Sequence, residues 1–311
     1  MRIMRKVRKV YPKLVKDNII PRSKTVVFMN PKEFPFEAGL TDRFKGIISV
    51  YDACKRKGLP FKIYYTTPNL NDFLLPNLYD WHIDKEEICF DLRYTSTCYL
   101  VTYHHDDNYW QLFTQRCALN FFLKNRRKKQ IHVFSNTTTS DARYGELYNE
   151  LFKPTPLLKK QIDYHLEQLG GGKYVSVSFR IMNLFGDFKT EGKELGQDEK
   201  KILLDRCCKT IEYVHKMHSN MRILVATDST TLLNMASTIP YVYIIPGEII
   251  HTGYQISSDV ESAMKTFVDM YMISYAKIVY QVRDPLLYHS GFPLRAARIS
   301  GTDYQEINME Y

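Results

Sequence analysis

Two rhythms of apolar residues alternate along this chain. Thr25–Met29, Phe61–Tyr65, Glu86–Phe90 and Ile131–Ser135 are short, β-branched or aromatic runs that predict strands. Residues 41–57 and 110–123 instead place apolar side chains three or four apart, which predicts helices, and Gly58-Leu59-Pro60 stops the first of them. Pro154 and Pro156 open a predicted helix over 157–169, which the triple glycine Gly170–Gly172 ends. A second cycle follows: strand 174–180, helix 198–218, strand 222–227, helix 229–236, strand 241–245, helix 258–275, strand 277–282 and a closing helix from Phe292. In the helix over 198–218, Leu203, Cys207, Ile211, Val214 and His218 form the inward stripe. Strands alternating with helices predict an α/β fold with parallel sheets and crossover connections. The expected organisation is a basic segment at 1–24, a Rossmann-like domain at 25–156, a second at 157–300 and a tail at 301–311. Two such sheets facing across a cleft would hold ligand at the carboxyl ends of their strands.

Composition narrows the picture. Hydrophobic residues make up 44% and charged residues 25% of the 311, values that exclude disordered and fibrous classes. No run of about 18 apolar residues is present to span a bilayer. No secretory leader is recognisable either, so the protein is expected to stay in the cytoplasm. Six cysteines without a C-x-x-C pair read as reduced core thiols. The net charge of +9 is concentrated at the start, where Arg2, Arg5, Lys6, Arg8, Lys9, Lys13, Lys16, Arg22 and Lys24 face only Asp17. Ile3, Val7, Val10, Tyr11, Leu14 and Val15 recur there at helical spacing, with Pro12 interrupting. Residues 1–16 therefore read either as a peripheral contact with anionic lipid at the inner membrane face or as a solvated terminus. Nucleic acid is not expected, because no recognition module follows.

The polar residues of the second cycle gather at predicted strand ends: Ser178-Phe179-Arg180 before Gly186-Asp187, then Thr227-Asp228-Ser229, then Pro246-Gly247-Glu248 before His251, and last His289-Ser290-Gly291-Phe292. An arginine suits a diphosphate, since guanidinium is permanently charged and grips oxygens bidentately. Arg180 would stabilise the charge that grows on a departing nucleoside diphosphate. Asp228 reads equally as a ligand contact and as a cap of its own helix. Ser290 and the amides of the last helix suit a phosphate. Asp269, in an apolar helical run, needs a partner if buried, and guanine donors would supply one.

Taken in order, Gly39-Leu-Thr-Asp42-Arg43…Gly46, Val177-Ser-Phe-Arg180…Gly186-Asp187, Ala226-Thr-Asp228-Ser229 and Phe267-Val-Asp269…Ser290-Gly-Phe292 resemble the fucosyltransferase superfamily. The resemblance is to bacterial relatives of the α1,2-, α1,6- and protein O-fucosyltransferases, nodulation enzymes included, and it runs from about Pro31 to Gly301. It implies a GT-B fold and inverting, metal-independent transfer of L-fucose from GDP-fucose to a glycan hydroxyl, in bacterial surface polysaccharide synthesis. No cofactor is implied beyond the donor itself. It also implies that Arg180 holds the donor β-phosphate and that Gly39 to Arg43 face the donor sugar or acceptor. Thr227, Asp228, Ser229, Asp269, Ser290, Gly291 and Phe292 would complete the donor site beside Ser178 and Phe179. The chain departs from the pattern at Ser178, where relatives carry histidine, and at Asp42, where asparagine is common.

Asp42, Asp187 and His251 are the candidates for the base that deprotonates the acceptor. His104-His105-Asp106-Asp107 looks like a metal cluster, but neighbours on an extended chain point to opposite sides, and a polar loop is the expectation. Tyr64, Tyr65, Trp81, Tyr109 and Trp110 suit either sugar faces or a core. Two other readings stay open: the same fold with another nucleotide sugar, and a non-catalytic scaffold at the membrane.

Overall fold

A computed structural model describes residues 2–15, 19–33, 38–101, 109–125, 127–137, 143–171, 173–187, 193–247 and 260–309. The chain divides between Lys153 and Pro154 into two compact units. The first contains helix α1 (Arg2–Leu14), strand β1 (Thr25–Asn30), helix α2 (Leu40–Lys55), β2 (Phe61–Tyr65), β3 (Leu74–Pro76) and β4 (Thr95–Leu100). Helix α3 (Tyr109–Lys124), β5 (Gln130–Ser135), α4 (Tyr144–Leu151) and β6 (Phe152–Pro154) complete it. Four strands form a parallel sheet in the order β2-β1-β5-β4, and β3 pairs with β6. Alternation along β1 feeds both faces. Val27 and Met29 pack with Phe134 under α1, while Phe28 lies against Gly46 of α2.

Helix α1 runs through Pro12, which falls in its last turn. Its apolar side is spent on the core, where Val7 and Tyr11 are buried with Ile88 and Phe90. Among its described side chains, α1 leaves Arg5, Arg8, Lys9 and Lys13 exposed, together with Met4 and Pro12. The helix is thus packed on the first unit and is not a loose solvated terminus. A polar chain fixes the helix further. The Gln130 amide donates to the Glu87 carbonyl, so its oxygen accepts from His132 Nε2 at 3.0 Å, and His132 Nδ1 accepts from the Tyr11 hydroxyl at 2.7 Å.

His132 is fully buried, and burial pulls its pKa from the ordinary 6.5 down to about 3. Its proton is bound in the unfolded state but not in the folded state between those values. Stability from this group is therefore whole above about pH 6.5 and falls by about 1.4 kcal/mol for each pH unit below it. Between about pH 7.5 and 5.5, urea unfolding should show His132→Gln losing about 1.4 kcal/mol less stability than the wild type, an average slope about half a proton smaller. Equal slopes would exclude His132 as the acid-sensitive group.

The second unit contains α5 (Pro156–Gln168), β7 (Tyr174–Phe179), α6 (Gln197–Met217), β8 (Arg222–Thr227), α7 (Thr230–Ala236) and β9 (Val242–Tyr243). Helix α8 (Val260–Ser274), β10 (Ile278–Arg283), α9 (Phe292–Ser300) and β11 (Asp303–Asn308) follow. The five strands are parallel in the order β11-β10-β7-β8-β9, so β7 is central. Val175, Val177 and Phe179 of β7 join Leu203, Cys207, Ile211 and Val214 of α6 in one core cluster. By the period of two, Ser176 and Ser178 face the other side.

Three sequence expectations are overturned. Residues 86–90 are not a strand: Lys85–Glu87 is a 3₁₀ turn, and the Cys89 amide donates to the side chain of Gln130 rather than to a ladder. The edge place in that sheet belongs to β4, whose Thr-Ser-Thr-Cys-Tyr-Leu composition carries a weak strand signal. The tail is also structured, because β11 adds a parallel edge strand through register with β10. Among the thiols, Cys54, Cys89, Cys98 and Cys207 are buried as expected, but Cys117 is exposed.

Candidate active site

The exit of the central strand holds the densest polar geometry. Register pairs Phe179 of β7 with Thr227 of β8, so the residues that follow, Arg180 and Asp228, leave the sheet side by side. Arg180 Nη1 lies 3.0 Å from Asp228 Oδ2, with the arginine side chain 29% and the aspartate 6% exposed. Asp228 also accepts the Ile181 amide at 2.7 Å and the Met182 amide at 3.0 Å. Met182 has φ of +57°, a left-handed conformation that an ordinary side chain seldom adopts. The carboxylate thus fixes both a strained turn and a guanidinium. From the third neighbouring strand end, the Tyr288 amide donates to the Arg180 carbonyl.

That arrangement changes the reading of Asp228, which does not cap its own helix. The N-cap of α7 is Ser229, whose hydroxyl accepts the Leu232 amide at 3.1 Å. Asp187 is a second reassignment. Its carboxylate accepts from the Ser229 hydroxyl, the Thr231 hydroxyl at 2.7 Å and the Thr231 amide at 3.2 Å. Those three donors tie it to the start of α7, a structural place rather than that of a base waiting for a proton. Thr227 uses its hydroxyl to accept the Ser229 amide.

Phe179 is 3% exposed inside the apolar core, so its side chain is not part of a donor surface. Ser178 differs: it is buried on the opposite face, and its hydroxyl has no hydrogen-bond partner among the described residues. Ahead of α9, the Ser290 hydroxyl accepts the Phe292 amide, and Pro293 has none to give. The Phe292 amide is thereby taken from the phosphate role expected of it, and position 293 offers none in its place. Asp269 has an internal partner that the sequence reading passed over. Lys265, one turn earlier, binds both its oxygens at 2.8 and 3.1 Å, and the lysine stem lies against Gly247 after β9. The i, i+4 spacing of Lys265 and Asp269 was visible in the sequence.

In the first unit, Gly39 is the N-cap of α2, with Asp42 in the first turn. Asp42 pairs with Lys45 at 2.8 Å and stays 34% exposed. Arg43 is buried: it donates to the Tyr65 hydroxyl at 2.8 Å and stands 5.6 Å from that ring. Asn30, at the end of β1, donates to the Thr67 carbonyl. Tyr64, Tyr65 and Trp81 are core residues, and Trp110 is exposed. His251 and the His104–Asp107 run lie outside the described residues. Among the described residues no group of three or more His, Cys, Asp or Glu side chains gathers in the manner of a metal site.

No family model matches the sequence, and no curated protein matches it significantly. Solved structures match its fold. The NodZ α-1,6-fucosyltransferase soaked with GDP-fucose aligns over 89% of this chain and 93% of its own, at 15% identity and a TM-score of 0.58. NodZ from Bradyrhizobium gives nearly the same alignment, with a TM-score of 0.57. Arabidopsis thaliana FUT1, a mutant in complex with GDP, covers all of this chain and 76% of its own, at 12% identity and a TM-score of 0.56. POFUT1 in complex with GDP-fucose covers 94% and 99%, at 9% identity and a TM-score of 0.51. The chain therefore has the α/β fold with parallel sheets of the GT-B fucosyltransferases.

Proposed function

We propose that the protein is an inverting, metal-independent fucosyltransferase that moves L-fucose from GDP-fucose to a hydroxyl of a glycan acceptor, in surface polysaccharide synthesis. The observation that carries this reading is Arg180, held by Asp228 at the exit of the central strand in a fold shared with structures that bind GDP-fucose. As the glycosidic bond breaks, negative charge grows on the departing diphosphate, and a guanidinium already fixed in place meets it without reorganising. The five donors of a guanidinium let one edge hold a carboxylate while another meets phosphate oxygens. Asp228 is assigned to positioning, together with the Ile181–Met182 turn. Ser178 is assigned to the donor, on the strength of its buried, unpartnered hydroxyl. Acceptor handling is assigned to the first unit, where Asp42 is a partly open carboxylate at the head of α2. With Asp187 committed to α7, the general base lies between Asp42 and His251.

Thermal-shift titration tests the donor. GDP at about a hundredfold excess over its Kd should raise the unfolding temperature by about 5 °C or more, with UDP, CDP and dTDP well behind. Equal or better stabilisation by UDP would replace the donor while keeping the fold. GDP-fucose turnover measured with and without chelator should not change, and a loss restored by added metal would overturn metal independence.

A further inference from the structure

Helix α3 is apolar on two opposite sides, and the described residues bury one of them. Leu119 and Leu123 are buried and Leu112 is half-buried on the side that meets β4 and α2. At 3.6 residues per turn, Trp110, Phe113, Cys117 and Phe121 fall on the opposite side within an arc of about 80°. Trp110, Phe113 and Phe121 are 68%, 49% and 73% exposed. The Trp110 and Phe113 rings meet edge to face at 6.3 Å, and Phe121 meets Phe122 at 5.9 Å. A helix that is apolar on two opposite sides belongs in a core or against a partner. Large aromatics in a row are a patch, not the scattered single residues of an ordinary surface.

Charge identifies the partner. Residues 109–129 contain no Asp or Glu but carry Arg116, Lys124, Arg126, Arg127, Lys128 and Lys129. Arg116, Lys124, Arg127 and Lys129 are exposed. We propose that this face docks on an anionic lipid bilayer, with the rings at the boundary between headgroups and acyl chains and the cations on the lipid phosphates. A second copy would bring the same sign of charge to the contact, which opposes pairing. The rings also lie along about 17 Å of one rigid helix, the form in which interfacial helices carry their apolar edge. Lipid contact is thereby placed on α3 rather than on α1, whose Val7 and Tyr11 are in the core.

Flotation of the full chain with vesicles tests this. It should bind vesicles of phosphatidylcholine with phosphatidylglycerol, not phosphatidylcholine alone, and high salt should release it. Trp110→Ser/Phe121→Ser and Arg127→Glu/Lys129→Glu should each weaken binding about tenfold or more. Arg5→Glu/Arg8→Glu in α1 should leave it within about twofold. All three variants should keep the wild-type unfolding temperature. No binding to anionic vesicles, or loss through the α1 variant alone, would overturn the assignment. So would a concentration-dependent dimer, or an RNA complex, that Trp110→Ser/Phe121→Ser abolishes while vesicle binding is absent.

Discussion

Replacing Arg180 by alanine is expected to lower kcat for GDP-fucose turnover by at least about a hundredfold, with a much smaller rise in KM. The asymmetry follows from when the contact matters, since charge on the leaving diphosphate is greatest as the bond breaks. Arg180→Lys keeps a charge but loses the planar fork and should recover part of the rate. The arginine is also a structural partner, so Arg180→Ala takes the guanidinium away from the buried Asp228 carboxylate that it pairs with. The guanidinium is nearly a third exposed, and solvent screening limits that stability cost to about 1 kcal/mol. A folded Arg180→Ala protein that turns over at the wild-type rate would remove the proposed mechanism. Asp228→Asn distinguishes holding from contact. One amide oxygen can accept from Ile181 while the NH₂ group opposes the Met182 amide, so the turn and the guanidinium should loosen together. Both the unfolding temperature and kcat should then fall.

The pair between Arg180 and Asp228 shows what a sequence can and cannot carry. Each residue was recognisable at the end of an apolar run, because strands buried on both faces leave continuous hydrophobic stretches that stop where the chain exits. Their mutual contact spans 48 positions and exists only because β7 and β8 are neighbours in register. Asp187 is similar: its tie to Ser229 and Thr231 depends on how the loop after β7 folds back over α7. The missed strands share another cause. Strands β4 and β11 lie at sheet edges, where one side is open to water and the sequence needs little apolar periodicity. Residues 86–90 failed in the opposite sense, since Ile88 and Phe90 are buried without joining a ladder, and burial alone had supplied the strand signal. Helix α3 was legible as a helix, yet the exposure of its outer row of aromatics was not, because a pattern apolar on two opposite sides does not say which side is covered.

Gly46→Ala is expected to destabilise the first unit by about 3 kcal/mol, despite alanine being the better helix former by about 1 kcal/mol. A Cβ at position 46 would stand 1.9 Å from the Ser135 carbonyl oxygen and 2.6 Å from its carbon, distances that backbone atoms do not permit. Either α2 lifts from the end of β5 or β5 yields, and β5 is paired on both sides by β1 and β4. Phe28, 3.1 Å from the same point, blocks the remaining direction. The unfolding temperature should drop by about 6–12 °C. Lifting α2 also shifts Gly39, Asp42 and Arg43, which that helix presents at the ends of β1 and β2. Transfer to acceptor should therefore fall further than hydrolysis of the donor, if the first unit handles the acceptor. A variant with wild-type stability would mean that the α2–β5 contact can open without cost. One that is destabilised but keeps the wild-type ratio of transfer to hydrolysis would detach acceptor handling from the head of α2.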